Sequence, residues 1–237
     1  MKCSVELPIA HLDLYDQFDY DFVIASTCVS HPEYFEFYKN VPKDRFMILD
    51  NGAFELGESI SDYDYLKIAK ALQPNVVVIP DVLRNPRKTL DRFRSFMSVW
   101  VTNSLIFPTT QLMGVIQANG SMDVAHTLGA FYEAHDIPWI GVPYVSDVDR
   151  IALIKSHPEW ENVHILGLPV ASDILTLCTL PNVKTIDSSL PVKVTKRGEE
   201  INLTSQAGIG DGVYPDDVIE NVYLLRYNLK RFFRYCN

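Results

Sequence analysis

A chain of 237 residues, 47% hydrophobic and 22% charged, has the composition of a folded domain with a sizeable core, which excludes a disordered or low-complexity protein. With 21 Lys and Arg against 30 Asp and Glu, the formal net charge of -9 excludes non-specific coating of nucleic acid, although a local basic patch can still track a phosphate backbone. No window has the length and apolarity of a membrane span, and the N-terminal MKCSVELPIAHLDLYD carries acids where a signal peptide needs its apolar run, so the expected location is the cytoplasm.

Residues 1–20 read as an N-terminal extension. From there, short apolar runs rich in β-branched residues alternate with segments of helical spacing. The run 21-DFVIAST-27 is followed by 45-RFMILDNG-52. A helix is predicted over 61-SDYDYLKIAKALQ-73, with Ser61 as N-cap and Asp64 in the first turn. The run 75-NVVVIPDV-82 precedes a helix at 86-PRKTLDRFRSFMSVW-100. Next come 112-LMGVIQAN-119 with a helix at 121-SMDVAHTLGAFYEAH-135, and 139-WIGVPYV-145 with one at 147-DVDRIALIKSH-157. The runs 163-VHILGLPV-170 and 183-VKTIDSS-189 follow, and the weaker 201-INLTS-205 is a candidate eighth strand. Residues 206–237 form a C-terminal loop and helix, the helix expected over 215-PDDVIENVYLLRYNLKRFF-233, where Pro and two acids open it.

Apolar runs without polar alternation are the pattern of parallel strands buried on both faces. Alternation of strand and helix about eight times predicts an α/β fold, a small (β/α)8 TIM-type barrel forming one domain over 1–237. A doubly wound open sheet is the competing architecture, but no GxGxxG or Walker-type loop follows any of the runs.

In a barrel the carboxyl ends of the strands meet at one mouth, and read in order these ends carry Asp50, Asp81, Gln117, Gly141, Gly167 and Asp187. One aspartate at a strand end is ordinarily a turn former or a helix cap. Three of them, each closing an apolar run, point to a site. The six histidines form no HxH or HxxxH and only His164 falls in a strand, so no metal centre is expected. The four cysteines, Cys3, Cys28, Cys178 and Cys236, form no CxxC pair and read as isolated reduced thiols. Paired carboxylates without metal suit a glycosyl cation-like transition state, one as nucleophile at the anomeric carbon and the other as proton donor and acceptor. A further carboxylate and an amide can read the edge of a base.

Seven segments in order resemble the motifs of the tRNA-guanine transglycosylases and their DNA-modifying 7-deazaguanine relatives. The segment 48-ILDNGAFE-55 is similar to the family's Asp-Ser-Gly-Gly-Phe/Tyr-Gln loop, 79-IPDV-82 to its Asp-Glu loop, and 113-MGVIQAN-119 to its Gly-Ile-Val-Gln-Gly strand. Further on, 140-IGVPYVSD-147 resembles Ile-Gly-Gly-Leu, 165-ILGLP-169 resembles Met-Gly-Val-Gly, and 186-IDSSLPVK-193 resembles Phe-Asp-Cys-Val-Leu-Pro-Thr-Arg, with 199-EEINL-203 as the following strand. The resemblance implies a barrel that exchanges a guanine-type base in a nucleic acid for a 7-deazaguanine such as preQ0, with no cofactor. It makes Asp187 the nucleophile at C1′ and Asp50 the general acid and base. Asp81 would accept from the guanine-like edge. Gln117, with backbone N–H groups near Gly141 and Val142, would donate to the base carbonyl. Phe54 and Leu166 would sandwich the ring, and Asn51 would sit beside it in the substrate pocket.

The sequence departs from the family at Asn51, Ala53 and Glu55, and Pro143 stiffens the pocket wall, which leaves the 7-substituent open. The Cys-rich zinc subdomain of the tRNA enzymes has no counterpart after residue 205, which favours DNA over tRNA as substrate and a phage-type enzyme working in the host cytoplasm. Basic residues that follow the strand ends, Lys193, Lys196 and Arg197 after Asp187 and Arg84 and Arg87 after Asp81, are the expected phosphate contacts. Three alternatives stay open: a base-releasing N-glycoside hydrolase, a non-catalytic nucleic-acid-binding subunit, and an unrelated barrel enzyme using 207-AGIGDG-212 as a phosphate cradle. A homodimer is one open assembly state.

Overall fold

In the computed structural model, which describes residues 1–208 and 212–237, eight parallel strands form a (β/α)8 TIM-type barrel. They are β1 (Lys2–Val5), β2 (Asp21–Ile24), β3 (Met47–Asp50), β4 (Val76–Val78), β5 (Gln111–Val115), β6 (Trp139–Pro143), β7 (Asn162–Leu166) and β8 (Val183–Ser188). The hydrogen-bonded order is β1-β8-β7-β6-β5-β4-β3-β2. The two ends of this sheet meet just before β2, where Asp19 N–H donates to the Cys3 carbonyl at 3.1 Å and the Asp19 carboxylate accepts from Cys3 N–H at 2.8 Å. The barrel is thereby nearly closed.

Its outer layer begins with α1 (Ala25–Ser30), α2 (Pro32–Lys39), α3 (Ala53–Leu56), α4 (Asp62–Leu72), α5 (Pro86–Asn103) and α6 (Met122–Glu133). It continues through α7 (Arg150–Ser156), α8 (Asp173–Leu177), α9 (Leu190–Lys196) and α10 (Val222–Cys236). The starts follow capping chemistry: Ser61, Asn85, Ser121, Asp149 and Asn221 each accept a first-turn N–H through the side chain. The last helix starts later than the Pro-Asp-Asp signal predicts. Asp217 is engaged elsewhere, accepting from Tyr214 N–H at 2.8 Å and from Lys196 Nζ at 2.7 Å, so residues 215–217 form a turn and Asn221 caps the helix.

The eighth strand is not 201–205 but Lys2–Val5, within the expected N-terminal extension. Asn202 folds back locally, its side chain accepting from Thr204 N–H at 2.8 Å, while β1 supplies the buried Cys3, Ser4 and Val5 and pairs with β8 in the register Ser4↔Asp187. Residues 209–211 of the Gly-rich 207–212 segment lie outside the described residues.

Two apolar clusters separate by strand periodicity. Tyr20, Phe22, Ile48, Val76, Val78, Met113, Val115 and Trp139 fill the barrel interior, and the larger cluster lies between strands and helices. The last helix packs on β1, and Cys3 is joined to Cys236 as a disulfide. This corrects the expectation of four isolated thiols, because barrel closure carries the first strand to the last helix; Cys28 and Cys178 remain free. Among the described residues no helix is long and apolar enough to cross a membrane.

Candidate functional site

A cavity of about 410 Å³ opens at the carboxyl ends of the strands. Its polar lining holds five carboxylates, Glu6, Asp50, Glu55, Asp81 and Asp187, against one cation, Lys193. A larger recess of about 620 Å³ lies at the opposite ends of the strands, around Lys2, Trp139 and Lys184, with Asp19 as its one acidic side chain among the described residues. The clustered titratable side chains therefore belong to the smaller cavity.

On the β3–β5 side, the chain turns sharply after Asp50. Gly52 sits at φ +80°, where a Cβ would lie 2.6 Å from the Ser26 side chain, so glycine is required on both conformational and steric grounds. This turn lets Gly52 N–H donate to Asp50 Oδ2 at 2.8 Å and sends Asn51 inward. Asn51 Nδ2 donates to Asp81 Oδ1 at 2.7 Å and to the Ile79 carbonyl at 3.1 Å, while its Oδ1 accepts from Ala53 N–H at 2.9 Å. From β5's end, Gln117 Nε2 donates to Asp81 Oδ2 at 2.6 Å and Gln117 Oε1 accepts from Arg84 N–H at 2.9 Å. Asp81, 3% exposed, is thus gripped by one carboxamide on each oxygen. Burial raises its pKa, and the two amide donors pull it back down.

On the β7–β8–β1 side, Asp187 is 2% exposed. Its Oδ1 accepts from His164 Nε2 and from Gly167 N–H, both at 3.1 Å. His164 lies beside Thr185 in the β7–β8 ladder, and its Nδ1 is 2.8 Å from the Thr185 hydroxyl. Burial holds the imidazole down at about 3, so His164 is neutral; an ionised carboxylate only accepts, so Nε2 carries the proton and Nδ1 accepts from Thr185. The buried Arg150 supports the Gly167 turn, donating to its carbonyl at 2.9 Å.

The carboxylates ionise at different points. Burial pushes Asp187 up to about 6, with Glu6 and Gly167 as donors opposing it. Asp50 is raised well above the ordinary range by burial and then by the charge of Glu55. Glu6 is pushed up to about 8 by burial and then by Asp187. Glu55 is exposed at the mouth, yet the protein around it and then the charge of Glu6 push it up to about 7. Asp187 therefore loses its proton below neutral pH and before Glu6, while Asp50 is held well above the ordinary carboxylate range.

The other expected residues divide. Leu166 and Phe54 line the cavity, Phe54 with 66% of its surface exposed. Asn51 is wholly buried and serves Asp81 rather than the open space. Gly141 and Val142 lie within β6 and outside the lining, which this strand supplies through Pro143. Lys193 lines the cavity, but Lys196 is engaged with Asp217 and the Gly212 carbonyl, and Arg197 with Glu199 and the Gln206 carbonyl. Arg84 pairs with Asp147 at 3.2 Å and reaches the Val145 carbonyl at the rim, and Arg87 is exposed in the first turn of α5. Among the described residues, the one grouping with metal-ligand donors is Glu133, His157 and Glu159, between the end of α6 and the loop after α7, away from the cavity.

Sequence reasoning passed over Glu6, His164, Thr185 and Arg150 as site residues. The first had a usable signal, since 3-CSVE-6 is itself a short buried run ending in a carboxylate. Neither a protein-family model nor a curated protein matches this chain, so the transglycosylase resemblance stands on the motifs quoted above.

Proposed function

We propose that the chain is a base-exchange transglycosylase, replacing guanine in a nucleic acid, DNA in preference to tRNA, by a 7-deazaguanine such as preQ0. The observation that carries this reading is the opening of Asp50 and Asp187, from β3 and β8, onto one cavity whose further polar wall is the Asp81–Gln117 pair. Their electrostatics suit a division of labour, with Asp187, at about 6, charged and nucleophilic at neutral pH and Asp50, raised well above the ordinary range by burial and the charge of Glu55, suited to donate.

In the first half-reaction an Asp187 oxygen bonds to C1′ as the bond from C1′ to the glycosidic nitrogen breaks. The electron pair goes to the departing base, which takes the Asp50 proton. In the second half, the incoming base returns a ring N–H proton to Asp50, its nitrogen attacks C1′, and the ester bond to Asp187 breaks. Two inversions give retention. Asp81 keeps lone pairs for a base edge bearing two N–H donors, and its rigid amide grip makes a base without them a poor fit. Phe54 and Leu166 provide apolar area without selection. Phosphates are repelled from so acidic a cavity, so the base and sugar must leave the stack and enter while Lys193 and Arg84 meet the backbone at the rim.

The test is mass spectrometry of nucleosides from DNA and from tRNA after incubation with preQ0. The expected product is a 7-deazaguanine nucleoside from DNA with no abasic sites. Abasic product would replace the reading by base release, and an unaltered polynucleotide of both kinds would remove it.

A further inference from the structure

Glu6 follows β1 directly, and its N–H donates to the Ser188 carbonyl at 3.3 Å, so the β1–β8 ladder continues one residue past the Val5↔Ser188 pair. The ladder sets this carboxyl at the same end of the barrel as Asp187, both line the cavity, and the two side chains hydrogen-bond each other. Two carboxyls can do so only when one of them carries a proton.

We propose that Glu6 is the positioning residue of Asp187: it keeps the shared proton, donates it as a hydrogen bond to the Asp187 carboxylate, and so holds that carboxylate ionised and oriented in a buried site. His164 Nε2 and Gly167 N–H both bind Oδ1, and with Glu6 they make a three-donor cradle for one anion. The direction of proton sharing follows from the surroundings. Asp187 has the imidazole, the Gly167 amide and the Arg150 charge on its side, whereas Glu6 has Lys193 as its one favourable charge. Asp50 from β3 faces Asp187 and Glu55 from α3 faces both carboxyls, and Tyr20, whose buried hydroxyl has no hydrogen-bond partner among the described residues, is neutral. No proton moves to or from Glu6 during turnover. Its hydrogen bond weakens as the Asp187 oxygen becomes an ester and strengthens as the carboxylate leaves in the second half-reaction, where a donor to the leaving group is an advantage.

The pairing rests on the β1–β8 register and the cavity the two carboxyls share, and its role in turnover rests on the base-exchange reading. The experiment keeps the two apart by using the free protein. Carbon-13 carboxyl NMR of Asp- and Glu-labelled protein, with Asp187→Asn to assign the signal, follows the pair from pH 4 to pH 10. Wild type should titrate in two coupled steps, near 6 and near 8. Glu6→Gln, whose amide still donates, should lose the upper step and leave the lower one within about half a pH unit. Glu6→Ala should move the Asp187 step up by about one to two pH units, the loss expected for a hydrogen bond to a charged group. An Asp187 step unchanged in Glu6→Ala, or an upper step that persists in Glu6→Gln, overturns the proposal whether or not the protein exchanges bases. Where exchange is observed, Glu6→Gln should lose the alkaline fall of the rate, while Glu6→Ala should shift the acid limb upward; a uniform loss at every pH in both variants would overturn the positioning role.

Discussion

Asp81 and Asp187 lie on opposite sides of one barrel mouth, equally buried, and they are held in different ways. Asp81 is clamped by two carboxamides, Asn51 and Gln117, neither of which titrates. Asp187 is held by a neutral imidazole, a backbone amide and a carboxyl that carries its own proton. Non-titrating partners make a fixed acceptor, suited to reading a base edge. Titrating partners make an anion whose charge responds to its surroundings, suited to forming and breaking a bond.

The sharpest break in that contrast is Asp187→Asn. Base exchange should fall by at least about a thousandfold while polynucleotide affinity and the circular dichroism spectrum stay as in wild type; near-normal exchange of labelled guanine would take Asp187 out of the chemistry. Next is Asp81→Ala. Discrimination between guanine and an analogue lacking the exocyclic amine should drop by about a hundredfold or more, with polynucleotide affinity changed by less than about threefold. Equal losses in the two measurements would assign Asp81 to structure alone.

The smallest effect concerns stability against pH. Glu6 and Asp187 have folded pKa values of about 8 and about 6, raised above their ordinary 4.5 and 3.8. A carboxyl with a raised folded pKa binds its proton more tightly in the native state, so its contribution is complete below the ordinary value and is lost as pH rises through the folded one. The melting temperature of wild type should therefore fall between about pH 4 and pH 8 relative to Glu6→Gln. A wild type that gains stability relative to this variant over that window would show that the pair is ionised more easily folded than unfolded, contrary to its burial.

Particular residues show where sequence reading succeeded. The runs ending at Asp50, Asp81, Gln117 and Asp187 are legible because a strand buried on both faces needs an unbroken apolar stretch, and a carboxylate at its end stands out against it. The Ser61 cap is legible because its partner is three residues away. Lys2–Val5 was missed because four residues with a lysine and a serine make a weak pattern, marked only by the carboxylate of Glu6 at its end, and β8 offers it the edge on which it forms a strand. Lys196 and Arg197, expected as phosphate contacts, are engaged by residues 199, 206, 212 and 217 within the chain, and no local spacing announces that.

By itself the amino-acid sequence determined the alternation of strands and helices, and with it the barrel and the mouth at which the polar strand ends gather, since both depend on periodicity and capping within a few residues. Only the tertiary structure decided which first strand closes the sheet, that Cys3 meets Cys236, and that Glu6 and His164 join Asp187 while Asn51 and Gln117 take Asp81. Those pairings cross 23 to 36 positions or join opposite ends of the chain. Contacts of that reach arise from closure of the barrel, which brings together side chains whose neighbours in sequence carry no trace of the meeting.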